Sequence, residues 1–457
     1  MALEVVVLAA GQGKRMRSRL PKVLHDLAGR PLLAHVLASV RALRPERLHV
    51  VVGVGRERVK AAFAAEPDIV WVDQAQQLGT GHAVQQAMNG VSMDARVLVL
   101  FGDVPLVPPE TLRRCVEAAD GGIALVTADM PDPTGLGRIV RDAEGRVRAI
   151  VEERDADANV RAIREINSGI MTLPAGLLAR FLSRLSCDNA QGELYLTDVI
   201  ALAVADGVNV STVDVPFAEE VAGINDRVQL AALERFHQRR VADALMRAGV
   251  TLRDPARLDV RGELTAGEDC IIDVDVVFEG TVRLGHGVCI GAGAVIKDAV
   301  LADDVVVHPH TIIDGARVAE RGEIGPFARM RPGTQLAADV KVGNFVETKK
   351  TKLGAGTKAN HFAYLGDTTT GEHCNIGAGT IVCNYDGVDK HPTFLGDRVF
   401  VGSNATLVAP VAVGDDGYVA AGSTVTAKVD AGDLAVGRAR QRNISGWTPP
   451  SRRGKTS

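Results

Sequence analysis

Aliphatic residues follow two different rhythms along this chain, and the change from one to the other divides it. Up to about residue 225, short apolar runs at 5–8, 48–52, 69–72, 97–100 and 123–127 alternate with amphipathic stretches. That alternation predicts a mostly parallel sheet covered by helices, with chemistry just beyond the carboxyl ends of the strands. Between 225 and 249, Leu230, Leu233, Val241, Ala244, Leu245 and Ala248 share one stripe, with Arg235, Arg239 and Arg240 outside it. This is a connecting helix, with Asn225 or Asp226 to cap its start and Gly249 to end it in a left-handed turn. From about 255 to 437 the period becomes six. Val306, Ile312, Val318, Ile324, Met330, Leu336 and Val342 keep that beat, and it returns at Leu395, Val401, Leu407, Val413, Val419 and Val425. A repeat of six predicts a three-sided parallel β-helix of roughly ten coils, with one side chain in six facing the core. Two interruptions, at 348–352 and 383–394, are expected as loops on one face. The resulting division is 1–227, a linker helix at 228–248, and 249–457.

Composition narrows the function classes. A chain of 457 residues exceeds what one core usually organises. With 46% hydrophobic and 24% charged residues it is globular, and a net charge of −4 argues against nucleic-acid binding while leaving room for local phosphate sites. The six cysteines form no CxxC pair, which points to reduced thiols in a cytosolic protein and away from zinc. The apolar run at the start is too short for a membrane span or signal peptide. The segment from Arg438 to Ser457 carries six cations (Arg438, Arg440, Arg442, Arg452, Arg453, Lys455), no acid, and Pro449-Pro450, so it reads as a solvated tail or an arm laid along a neighbour.

The first strand runs into Leu8-Ala9-Ala10-Gly11-Gln12-Gly13-Lys14-Arg15-Met16, and Leu20-Pro21-Lys22 follows. Gly11 and Gly13 let backbone N–H groups approach an anion, and Lys14, Arg15 and Lys22 supply positive charge for a triphosphate. Met16 stands where a dinucleotide fingerprint needs its third glycine, which disfavours NAD. Phe101-Gly102-Asp103 sets a carboxylate at the end of the 97–100 strand, a hard oxygen ligand suited to Mg²⁺ on nucleotide phosphates. On the β-helix, His361 falls between core positions and should project from the wall. Arg331 and Lys349 lie eighteen residues apart, one full turn of three hexads, and Ser403 and Ala421 repeat that spacing. Two stacked cations on one wall suit a shared phosphate.

With Gln74, the Gln77-Leu78-Gly79-Thr80-Gly81-His82-Ala83 segment and Gly102-Asp103-Val104-Pro105-Leu106 added, the front half resembles a sugar-nucleotide pyrophosphorylase. Joined to hexapeptide repeats carrying His361, Asn384-Tyr385 and Lys390, nearly the whole chain resembles the bacterial bifunctional N-acetylglucosamine-1-phosphate uridylyltransferase/glucosamine-1-phosphate N-acetyltransferases. The resemblance implies an α/β Rossmann-like nucleotidyltransferase domain followed by a left-handed parallel β-helix. It implies that Leu8, Ala9, Ala10, Gly11, Gln74, Gly79, Thr80, Phe101, Gly102 and Asp103 surround the uridine nucleotide of UTP, that Lys22 meets its phosphates, and that Gly137, Glu152 and Asn167 hold the sugar. Asp103 and Asn225 would hold Mg²⁺, with Arg15 and Lys22 assisting turnover. His361 would be the base that deprotonates the sugar amine. Arg331, Lys349, Tyr364, Asn375 and Lys390 would form the acceptor site, and Ala378, Asn384, Tyr385, Ser403, Ala421 and Arg438 would meet acetyl-CoA. A cytoplasmic homotrimer with small-molecule substrates and no nucleic-acid or membrane partner is implied. Lys14 and Phe101 depart from the family pattern, which usually has Ser or Thr and often Tyr there. One alternative keeps the pyrophosphorylase and makes the β-helix only an oligomerisation or regulatory module. Another is a non-catalytic assembly or sensor protein, against which intact Asp103, Lys22 and His361 speak.

Overall fold

The computed structural model describes residues 1–452, and two compact units emerge from it, Met1–Arg240 and Val241 onward. Arg453 and Lys455 lie outside the described residues. In the first unit the main sheet runs, edge to edge, Val210–Asp214, Ile123–Asp129, Glu165–Pro174, Arg96–Phe101, Leu3–Ala9, Arg47–Val52 and Ile69–Asp73. All neighbours are parallel except Glu165–Pro174, which is antiparallel to both strands beside it. Central strands buried on both faces explain the unbroken aliphatic runs: Val5, Val6, Val7, Val97, Leu98, Val99 and Leu100 are fully buried. From Leu3–Ala9 the chain winds outward through Arg47–Val52 to Ile69–Asp73, then returns to place Arg96–Phe101 on the other side. That reversal opens a crevice beyond Ala9 and Phe101, the usual ligand position in a sheet of this type.

The helix Arg227–Arg247 is capped by Asp226, whose Oδ1 accepts from the amides of Val228 and Gln229 at 2.9 Å. Asn225 leaves the cap to Asp226 and turns its own side chain elsewhere. Gly249 takes φ +95° beyond the helix end.

The second unit is a stack of short parallel strands from Thr251–Leu252 to Leu434–Ala435. Successive turns place core aliphatics directly over one another: Val307 lies on Ile290, Ile324 on Val307, Val342 on Ile324. Two expectations need correction. The core takes two side chains per hexad, the aliphatic one and a residue two positions before it, as in Ala328 with Met330 and Thr334 with Leu336. Strand alternation over three residues sends both inward, and the earlier position takes Ala or Thr in many turns and Val in others, as at Val305 and Val340. The beat also slips at its start. Val306 is half-buried and Ile312 is 46% exposed, while Val307 and Ile313 face the core. Both sites offer two consecutive aliphatics, and several turns there take seventeen residues rather than eighteen. The contact from Thr281 to Asp298 spans such a short turn, whereas that from Arg321 to Asp339 spans a full one.

The segment 348–352 is likewise a tight corner with no loop. Thr348 and Thr351 are buried, and Lys350 turns it at φ +48°. The second interruption is a true insertion. It stretches the repeat to the twenty-five residues separating Glu372 from its partner Asp397.

Candidate functional site

At the crevice of the first unit, the loop after Leu3–Ala9 passes through Gly13 at φ +58°, where a Cβ would come within 2.8 Å of Lys22 Cβ. Glycine there lets the loop close over Lys22. A cavity of about 570 Å³ results, lined by Leu8, Ala9, Ala10, Gly11, Arg15, Lys22, Gln74, Gly79, Thr80, Phe101, Asp103 and Asn225. Gly102 does not reach it. Buried behind the wall, Gly102 donates its N–H to the Leu8 carbonyl at 2.9 Å and sets Asp103 at the rim.

The Lys22 ammonium sits between two oxygens, pairing with the Asp103 carboxylate and donating to Asn225 Oδ1 at 3.1 Å. A carboxylate and an amide carbonyl therefore converge on one cationic point, the donor set that suits a hard divalent ion sharing its remaining positions with phosphate oxygens. Among the described residues no cluster of three His, Cys, Asp or Glu side chains offers a fuller metal cage.

A second cavity of about 500 Å³ contains Arg15, Thr80, Phe101, Asp103 and Asn225 together with Gly137, Glu152 and Asn167. The Asn167 amide donates to the Gly137 carbonyl at 2.9 Å, and a Cβ on Gly137 would touch the Glu152 carboxylate at 3.4 Å, so glycine leaves that acid clear. Burial pushes the Glu152 carboxyl above its usual range, while a hydrogen bond from Thr197 Oγ1 at 3.1 Å opposes the shift. Thr197 escapes sequence reading because a lone threonine in a helix-entry segment carries no motif.

On the second unit, His361 ends the strand Lys358–His361 and is exposed. Its Nδ1 donates to Asn344 Oδ1 at 2.8 Å, so in the neutral ring the lone pair belongs to Nε2. Asn344 also escapes the sequence reading, although it lies one seventeen-residue turn before His361, and stacking at that interval would have found it. The same row continues upward, for the Gly379 amide donates to the His361 carbonyl, the Asn404 amide to that of Ala378, and the Gly422 amide to that of Ser403. Ala378, Ser403 and Ala421 thus climb the wall from His361 as a lane of small side chains, and Arg438 donates to the Ala421 carbonyl at its end.

Cations gather on a neighbouring side. Lys349 follows Arg331 by one turn, since Met330 pairs with Thr348, and Arg331 is held by Glu347 at 2.8 Å. The Lys390 side chain beside it, and Arg331 beyond, pull the Lys349 ammonium below its usual range. Lys390 reaches Lys349 from the 383–392 insertion, which closes on itself through a Tyr385–Lys390 bridge and an Asp386–His391 pair at 2.7 Å. His391 and the Asp389 and Val388 amides hold the Asp386 carboxyl well below the carboxylate range. Asn384, buried at the root, donates to Asp367 Oδ2 at 2.6 Å. Tyr364 and Asn375 start their strands on two different sides of the prism, and Tyr385 is exposed.

Comparison with known proteins finds a family match in each unit. Residues 5–168 match the MobA-like NTP transferase domain family, and residues 392–427 match the hexapeptide repeat of succinyl-transferase. A bifunctional protein GlmU of Alkalilimnicola ehrlichii is 55% identical over 99% of this chain and 97% of its own length. Those of Marinobacter nauticus and Stutzerimonas stutzeri are 53% and 54% identical, covering 98% and 99% of this chain and 99% and 100% of their own lengths. The chain belongs to the GlmU family of bifunctional proteins, the uridylyltransferase–acetyltransferases that its motifs resemble.

Proposed function

We propose that the two chemistries run on the two units separately, acetyl transfer at the His361 row first and uridylyl transfer at the Lys22 crevice second, giving UDP-N-acetylglucosamine. The observation that carries this reading is that the candidate groups for the two reactions fall in two sets, one on each compact unit.

For acetyl transfer, the phosphate of glucosamine 1-phosphate is held by Arg331, Lys349 and Lys390, three cations whose mutual repulsion an anion relieves. Tyr364 and Asn375 complete the acceptor pocket. Nε2 of His361 takes a proton from the sugar amine as its nitrogen attacks the thioester carbonyl carbon. The carbon–sulfur bond then breaks and coenzyme A leaves as the thiol. Pantetheine lies along Ala378, Ser403 and Ala421, between Asn384-Tyr385 and Arg438.

For uridylyl transfer, an oxygen of N-acetylglucosamine 1-phosphate attacks the α-phosphorus of UTP in line, and the bond to the β-phosphate oxygen breaks to release pyrophosphate. No protein nucleophile is required, so positioning and charge neutralisation carry the catalysis. Asp103 and Asn225 would hold Mg²⁺, which supplies charge neutralisation on the phosphates when bound. Lys22 and Arg15 would meet the phosphate oxygens. Glu152, Asn167 and Gly137 hold the acetylated sugar, and Gln74, Gly79 and Thr80 meet the uracil side.

Chelation tests this assignment. EDTA is expected to stop pyrophosphate release and to leave thiol release from acetyl-CoA unchanged; loss of both would place a metal requirement in the second unit as well. A homotrimer working in the cytoplasm fits hexapeptide repeats, and no helix among the described residues is long and apolar enough to cross a membrane. Sedimentation equilibrium should give three times the chain mass, and a monomer would remove the trimer from this reading.

A further inference from the structure

Gln74 and His82 form a hydrogen-bonded unit at the edge of the first cavity. Gln74 is 3% exposed, and its Nε2 donates twice, to the Gly79 carbonyl at 3.1 Å and toward His82 Nδ1 at 3.0 Å. On the far side of the ring, Gln86 Nε2 stands 3.2 Å from His82 Nε2. A neutral imidazole accepts at one nitrogen and donates at the other, so one of the two amides must turn its oxygen to the ring. Gln74 cannot be that one. Turning it would set its oxygen against the Gly79 carbonyl, two acceptors facing each other in a buried place. Gln86, half-buried one helical turn beyond His82, can rotate. His82 therefore carries its proton on Nε2 and accepts at Nδ1.

The consequence lies on the other end of the amide. With both Nε2 protons committed inside the protein, Gln74 presents only Oε1 to the cavity it lines, and no protein group among the described residues donates to that oxygen. A fixed acceptor pairs with the N3–H of uracil and faces the N3 lone pair of cytosine. We propose that His82 is a positioning residue for base selection, taking the second Nε2 proton beside the Gly79 carbonyl and so locking Gln74 as an acceptor, which makes the crevice take a uridine nucleotide and reject a cytidine one. This rests on the reading above that Gln74 meets the base. A site that holds one hydrogen-bonding pattern rigidly rejects its inverse far better than a site whose amide is free to turn.

The test is the ratio of kcat/KM with UTP to that with CTP, followed by pyrophosphate release. The ratio belongs to active molecules only, so a partly unfolded variant does not distort it. His82→Leu, which leaves the Gly79 carbonyl as the single acceptor on Nε2 and so loosens the amide, is expected to lower the ratio by about tenfold or more. His82→Asn, which restores an acceptor oxygen near the Nδ1 position, should keep it within about threefold of the parent. Should His82→Leu turn over too slowly, the same ratio is read from the dissociation constants of the two nucleotides. Gln74→Ala separates the two layers of the argument. If it lowers the ratio while His82→Leu leaves it unchanged, the base contact stands and the role of His82 is overturned. If Gln74→Ala leaves the ratio unchanged, the base contact itself is wrong and the proposal falls with it.

Discussion

His361→Ala is expected to slow acetyl-CoA thiol release with glucosamine 1-phosphate by about 10²–10⁴-fold, the usual worth of a positioned general base. Pyrophosphate release from UTP and N-acetylglucosamine 1-phosphate should be unchanged. Three features make the effect large and selective. The ring is exposed, so its loss leaves no cavity; its Nδ1 is spent on Asn344, so only Nε2 serves the amine; and it lies on the second unit. Asn344→Ala offers a milder version, because the ring keeps its base but loses its orientation. Loss of both product signals in His361→Ala would show that the division of labour is misjudged.

Asp103→Ala is expected to do the reverse, cutting pyrophosphate release on the order of 10²–10³-fold, as removal of a key charge-stabilising group does in other sites. Thiol release should persist. The carboxylate and its Lys22 partner are only 15% and 12% exposed, so the change leaves a cation with Asn225 alone for company. Asp103→Asn keeps the size and removes the charge, separating catalytic loss from local collapse. A fall in UTP turnover with Asp103→Ala that Asp103→Asn fully restores would mean that packing, and no charge or metal, is what Asp103 provides.

Much of this arrangement is readable from residue patterns because the same physics writes both. Buried parallel strands need unbroken aliphatic runs, and those runs place Leu8 and Phe101 at neighbouring strand ends, where the sheet register sets them. The stacking interval puts Lys349 over Arg331. What stays hidden has physical causes too. Many second core positions of the prism are small or polar, and buried threonines such as Thr351 and Thr368 satisfy their hydroxyls on the Leu365 and Gly366 carbonyls, so they mark no hydrophobic beat. The shorter turns shift Val306 and Ile312 outward without altering composition. Thr197 meets Glu152 across a gap of forty-five residues, and such a contact leaves no trace in a motif, whereas Asn344 is readable only once the turn length is known.

One chain carrying two successive transfers on separate units can be tested in a single incubation. The unmodified protein is given glucosamine 1-phosphate, acetyl-CoA, UTP and Mg²⁺, and free thiol and pyrophosphate are followed separately. Thiol is expected first and an equal amount of pyrophosphate after it, thiol alone when UTP is withheld, and neither when acetyl-CoA is withheld. Pyrophosphate formed without thiol would contradict this expectation.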